Sequence, residues 1–265
     1  MRRIASLSKA SGRLLASARL VFFAAFIFHA GAAAAFDPPS LGDFLFGHGP
    51  KAGLAPGRYG VDAGDGFIVD RADPQTLLVR YGDSSEVWTL HPVSAPRGDV
   101  IYKNDMGEPV LRATRIGGLT LFSWRHPTGS AAAFIGEAPP LRLAPVPNPN
   151  ALFQALVQAS VRASHAAQHL VVFEAQDLTP HDLEPDSSAV IADAAATTAD
   201  AFLRLGYRGP SGRLAASHIE RVRFTTGRDA DARTRGPIMV ITLNPAKGFA
   251  GRPSSARILA VMQKN

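Results

Sequence analysis

The chain has 265 residues with 28 Lys and Arg against 22 Asp and Glu, a formal net charge of +6, and no cysteine. The absence of cysteine excludes disulfides, thiolate metal sites and a cysteine nucleophile, so an ordinary apolar core must hold the fold. The basic balance does not by itself indicate nucleic-acid binding, because its source is local: residues 1–35 hold five bases and no acid, and the remainder carries 23 bases against 22 acids.

In chain order, residues 1–19 carry Arg2, Arg3, Lys9, Arg13 and Arg19, and the run 20–35, LVFFAAFIFHAGAAAA, is apolar apart from His29. Ala33 and Ala35 supply small residues at the −3 and −1 positions, so the pattern predicts a secretory signal peptide cut between Ala35 and Phe36. The competing reading is an uncleaved anchor, for which the run is slightly short of the ~20 residues that a span needs. Cleavage gives a periplasmic or secreted protein of near-neutral charge with no transmembrane segment. Residues 36–56 are rich in Gly and Pro and read as a linker with a small apolar patch at Phe44, Leu45 and Phe46.

From 57 to 137, short apolar stretches alternate with turn clusters, and the period is that of strands. Eight segments are predicted: 58–61, 67–69, 76–81, 86–90, 100–102, 110–111, 119–122 and 131–135. The central run 99–124 carries the clearest turns, at Asn104-Asp105-Met106-Gly107 and at Gly117-Gly118. Consecutive hairpins of this kind predict an antiparallel β-meander closed as a barrel or folded as a sandwich.

Residues 138–150, APPLRLAPVPNPN, hold five prolines and mark a boundary between two parts. Beyond it the spacing predicts a helix over 151–164, capped by Asn150, with Leu152, Phe153, Leu156, Val157 and Val161 on one face. A buried strand follows at 170–173, then an acidic, Pro-broken loop. A second helix runs from Ser187 or Ser188 to Leu205, with Gly206 as its stop. Ser211, in Gly209-Pro210-Ser211-Gly212, reads as a turn. Three closing strands are predicted at 219–225, 238–243 and 257–262, with 229–236 as a charged loop. The fold class is therefore α+β: an antiparallel β part over 57–137 followed by an α+β unit over 151–265. The block 206–265 is basic, with 11 bases against 3 acids, and 151–205 is acidic, with 7 acids against 2 bases. The basic block is read either as offsetting the acidic one within the fold or as a surface for anionic lipid or glycan.

The runs RGDVIYKNDMGEPVLRATRIGGLTLF, FIVDR and GRPSSARI resemble a family of exported Gram-negative bacterial proteins known only as a domain of unknown function. The resemblance covers most of the chain after residue 35 and implies export. It implies no activity, cofactor or catalytic residue.

Residue types and spacing bear on four chemistries. The chain after residue 35 contains neither a G-x-S-x-G elbow nor an S-x-x-K run. His165 and His169, four apart, would share one helix face and offer two imidazoles to a metal, with Glu174 or His181 as a third ligand; the plainer reading is two polar residues on a helix flank. Asp70 beside Arg71, together with Glu86, would make a carboxylate pair for glycoside hydrolysis, against solvated ion pairs on an open sheet face. Tyr59, Tyr81, Trp88, Tyr102 and Trp124 would line a ligand groove or fill the core; of Val87 and Trp88 only one faces in. Asp62–Gly66 reads as a hairpin turn rather than a calcium loop. The sequence predicts no cofactor and no nucleic-acid partner. The function expected is non-catalytic binding or scaffolding of an envelope ligand or protein, with a glycan or peptide hydrolase as the alternative.

Overall fold

The computed structural model describes residues 54–61, 66–82, 84–123, 125–175, 179 and 183–264. The segment expected to be a signal peptide, with Ala35 and Phe36, the Phe44–Phe46 patch, residues 62–65, Trp124 and His181 lie outside the described residues.

The first half is a closed eight-stranded antiparallel barrel. Its strands are β1 (Gly57–Val61), β2 (Gly66–Asp73), β3 (Thr76–Tyr81), β4 (Val87–Ser94), β5 (Val100–Lys103), β6 (Pro109–Ala113), β7 (Leu119–Leu121) and β8 (Ser130–Gly136). Each pairs with the next, and β8 returns to β1 with Tyr59 opposite Phe134 and Val61 opposite Ala132. All eight expected segments are strands, and the open choice between barrel and sandwich resolves to a barrel, which leaves no free sheet edge. With eight strands the interior is just wide enough for side chains to fill it. Phe67, Val69, Leu77, Val79, Leu90, Leu111 and Leu121 do so, each at most 2% exposed. Period-2 alternation sends their neighbours outward: Val87 faces out and Trp88 faces in. The turn after β5 is built by Asn104, whose Oδ1 accepts from Met106 N and Glu108 N while Nδ2 donates to the Glu108 carboxylate. Gly107 there has φ +78°, a conformation that favours glycine.

The second half contains α1 (Pro149–Ala167), β9 (Val172–Glu174), α2 (Pro185–Gly206), α3 (Pro210–Ala216), β10 (Arg221–Thr226), β11 (Asp231–Arg235), β12 (Ile238–Leu243) and α4 (Ser255–Met262). The sheet order is β11-β12-β10-β9. Here β10 is parallel to both β9 and β12, and only β11 is antiparallel to its neighbour. The expected closing meander is corrected accordingly. Residues 257–262 are helical: Ser254 Oγ accepts from Arg257 N as the cap, and Ile258, Leu259 and Met262 are buried at helical spacing. A short apolar run does not distinguish strand from helix, and the burial partner decided it. The charged stretch 231–235 is a strand, because its arginines project from the face of the sheet that no helix covers.

Four further expectations shift. The cap of α1 is Asn148, whose side chain accepts from Ala151 N. Helix α1 buries Leu152 and Leu156 but continues its buried stripe through Ala159, Ala163, Ala166 and Ala167, leaving Phe153, Val157 and Val161 exposed. The facing helix α2 is likewise alanine-rich, so the two backbones approach along small residues. Helix α2 starts at Pro185, so Ser187 and Ser188 are buried within its first turn. Ser211 sits in the first turn of α3, and a Cβ on Gly212 would lie 1.9 Å from the Leu205 carbonyl oxygen.

The two halves have separate apolar cores, joined by a small third cluster of Leu78, Val87, Leu141 and Phe249. The proline-rich stretch is packed rather than free. Leu141 and Val146 are buried, and Leu141 N donates to Asp70 Oδ2 at 2.7 Å.

On the barrel, Arg112 donates from Nε (2.9 Å) and Nη2 (2.5 Å) to Asp99 Oδ2, and Arg115 N reaches Oδ1 at 3.3 Å. The Arg112 hydrogen bonds hold the Asp99 carboxyl below its ordinary 3.8. A depressed carboxylate stabilises the fold fully above its ordinary value, and the contribution is lost as the pH falls through the lowered one. Asp99→Asn is therefore expected to lower the thermal midpoint at pH 7, with the difference from wild type shrinking as melts are taken below about pH 3. An equal difference at both pH values would contradict the assignment.

Candidate functional site

The barrel and the α+β half meet through a polar clamp around the run Gly251–Ile258, GRPSSARI. Glu86 lies just before β4, at the tip of the β3–β4 hairpin, and Asp105 lies in the β5–β6 turn. Each carboxylate captures one serine at the start of α4. Glu86 Oε1 accepts from Ser255 N at 2.8 Å and Oε2 from Ser255 Oγ at 2.6 Å. Asp105 Oδ2 accepts from Ser254 N at 2.8 Å and Oδ1 from Ser254 Oγ at 2.6 Å. The amide groups of a first helical turn lack intrahelical partners and carry partial positive charge, so carboxylates are favoured there.

Arg204, from α2, closes the arrangement with Nη2 on Glu86 Oε2 at 2.9 Å and Nη1 on Ser255 Oγ at 2.6 Å. Arg252, its side chain 2% exposed, pairs with Asp193 of α2 and donates from Nη2 to the Val87 carbonyl at 3.0 Å. Gly251 admits no side chain, since a Cβ would stand 1.9 Å from the Asn244 carbonyl oxygen. Ser255 is fully buried and its hydroxyl proton points at a carboxylate, so its role is structural.

Beside this clamp lies a cleft of about 950 Å³ between the outer face of β2–β4, the strap at 141–143 and the 3-10 segment Pro245–Gly251. Leu78, Leu141, Leu143 and Phe249 form its apolar wall, and Arg71, Arg142, Lys247, His91, Asp73 and Asp229 its polar rim. Most rim charges are engaged. Lys247 pairs with Asp229 at 3.1 Å, Arg71 donates to the Leu54 carbonyl at 3.3 Å, and Asp73 accepts from Gln75 N at 2.7 Å. Arg142 is exposed and has no partner among the described residues.

The residues named from sequence do not converge. Tyr102 is 3% exposed inside the barrel, and Tyr81 and Trp88 are half-buried against the same core. Tyr59 stacks on Phe67 with centroids 5.4 Å apart and donates to the Ala55 carbonyl at 2.8 Å; burial pushes its phenol above the usual range. Among the described residues these aromatics line the barrel interior, not the cleft.

Asp70 and Glu86 are not solvated ion pairs, nor do they face a common substrate position. Asp70 accepts from Arg71 N and Leu141 N and holds the strap, and Glu86 is locked in the clamp. His165 is exposed on the last turn of α1. His169 falls beyond the helix end, after Gln168 at φ +62°. Its Nδ1 lies 3.1 Å from the Ala167 carbonyl oxygen and its Nε2 2.9 Å from that of Ile219. The shared helical face is absent, and both ring nitrogens of His169 lie against backbone carbonyl oxygens rather than beside His165. Glu174 binds Arg221 and Arg223 instead. No group of three His, Asp or Glu side chains able to hold a metal occurs among the described residues.

Asp105, Arg204, Arg252, Ser254 and Ser255 gave no functional signal in the sequence. The only trace was the GRPSSARI run itself; nothing local relates residue 86 to residue 255.

Glu86→Ala strands a buried amide, a buried hydroxyl and a guanidinium. The expected loss is about 3–5 kcal/mol of unfolding free energy by urea titration. Arg204→Ala, at a partly exposed position, is expected to cost clearly less. Equal small effects from both would show that the clamp contributes little.

No curated protein matches this chain, and no solved structure does. One family profile matches residues 42–262, a stretch that includes the whole barrel, the strap, the clamp and the α+β half. The chain belongs to that family, described as Domain of unknown function (DUF4908).

Proposed function

We propose that this is an exported, non-catalytic binding or scaffolding protein of the bacterial cell envelope, and that the cleft beside the clamp is its ligand site. Export is supported by the basic, then apolar, then small-residue order of residues 1–35. The observation that carries the binding reading is the pairing of an apolar wall with Arg142, a cation bonded to no acid among the described residues, in a space of about 950 Å³. That volume suits a ligand-sized molecule, and the lining suits one with an apolar flank and a carboxylate or phosphate. The clamp supports the reading as well, because it fixes the two walls against each other and so keeps the cleft in shape before a ligand arrives.

Soluble glycopeptide fragments of cell wall, which bear carboxylates, are the first probes. Titration calorimetry should show binding that weakens about tenfold in Arg142→Glu, the loss of roughly one charge-assisted hydrogen bond. Arg208→Glu, on an exposed position after α2, should bind as wild type. Turnover of the fragments by wild-type protein, or equal affinity in Arg142→Glu, would overturn the proposal.

A further inference from the structure

The four-stranded sheet has one covered and one open face. Val222, Phe224, Met239 and Ile241, all fully buried, point toward the helices. The strand register fixes what the other face presents. One row reads Arg235, Ile238, Arg221, Val172 across the sheet, and the next Arg233, Val240, Arg223, Glu174. Four arginines thus stand at the corners of a patch about 10 Å across and ~7 Å along the strands, from ordinary strand spacing and rise. Ile238, partly exposed, and Val240, buried beneath the arginine stems, lie between them.

The acids facing this patch are few. Glu174 is shared by Arg223 at 2.9 Å and Arg221 at 3.4 Å. Asp231 is taken by Arg257 at 2.8 Å. Arg233 and Arg235 are exposed and bonded to no acid among the described residues. At the β9 edge the same surface continues into apolar side chains, with Val172 39% and Leu170 72% exposed. The basic C-terminal block is therefore only partly offset by the acidic middle of the chain, and four of its arginines stand together on one sheet face.

We propose that this sheet face docks on an anionic phospholipid surface. Guanidinium groups match phosphate in charge and in their forked donor geometry. A flat patch with aliphatic residues at its centre and edge fits the boundary between headgroups and acyl chains better than it fits a helical nucleic acid, whose grooves admit a protruding helix or ribbon. The patch and the cleft are built from different residues, so this inference does not depend on the cleft's ligand.

The test is sedimentation of the chain, as isolated from producing cells, with phosphatidylcholine vesicles containing 30% phosphatidylglycerol at 50 mM salt. Wild type is expected to bind, to be released toward 500 mM salt, and to ignore vesicles of phosphatidylcholine alone. Arg233→Glu/Arg235→Glu should bind at least ~30-fold more weakly, since each basic residue near such a surface contributes about a fivefold factor. Arg58→Glu/Arg208→Glu, with the same change in charge elsewhere, should bind as wild type; any contribution from the amino-terminal segment is common to all three. The milder Arg233→Gln/Arg235→Gln pair covers a folding failure of the reversal and should lose ~10-fold or more. Equal loss in both reversal pairs, no binding by wild type, or capture of polyglutamate or duplex DNA in preference to vesicles would overturn the proposal.

Discussion

The structure depends on the capture of two consecutive serines by two carboxylates that lie 149 and 169 residues away in the chain. Each carboxylate uses both oxygens, one on the serine amide and one on the hydroxyl. Breaking any of these bonds leaves a polar group with restricted access to water, which is more costly than the bond is favourable. The start of α4 is thereby fixed against two hairpin tips of the barrel. Through Arg204 and Arg252 the long helix α2 is fixed to the same point.

That constraint explains how a barrel and an α+β layer with separate cores behave as one body. The apolar contact between them is small, and apolar contact alone sets no unique orientation because it has no direction. The clamp supplies direction: bidentate capture works only at one angle and one register. The strap adds a second tie, as Asp70 binds the amide of Leu141 and draws the proline-rich stretch onto the outside of β2–β4. Proline suits this course, since an extended segment that packs without pairing has little use for its amide hydrogens. The cleft exists because the clamp and the strap hold its walls a fixed distance apart.

The charge distribution follows the same division. Acids of the middle segment are spent inside the fold, Asp193 on Arg252 and Glu174 on Arg221 and Arg223. Arginines of β11 extend beyond this pairing and remain on the open sheet face. A barrel closed on itself presents no strand edge, whereas the four-stranded sheet presents one face and two edges. The open sheet face is accordingly on the α+β half, and the cleft lies at the junction of the two halves.

Much of the architecture was legible in the chain. Alternation at period 2 with Asn-Asp and Gly-Gly turns located all eight barrel strands, because pleating and turn chemistry act over a few residues. The apolar face of α2 was legible for the same reason. What local pattern could not decide was decided by tertiary partners. Residues 257–262 are a helix because Ile258, Leu259 and Met262 find a buried partner at helical spacing and Ser254 is held as the cap. The alanines of α1 displaced Phe153 and Val161 from the interior because α2 comes close. In the sequence Glu86 reads as a strand carboxylate beside Asp70 and Asp105 as a turn residue; only the fold brings Ser254 and Ser255 to them. A sequence by itself determines periodicity, turn positions and net charge, which are local or additive. Pairing between groups more than a hundred residues apart depends on the closed path of the whole chain, and only the tertiary structure could decide it.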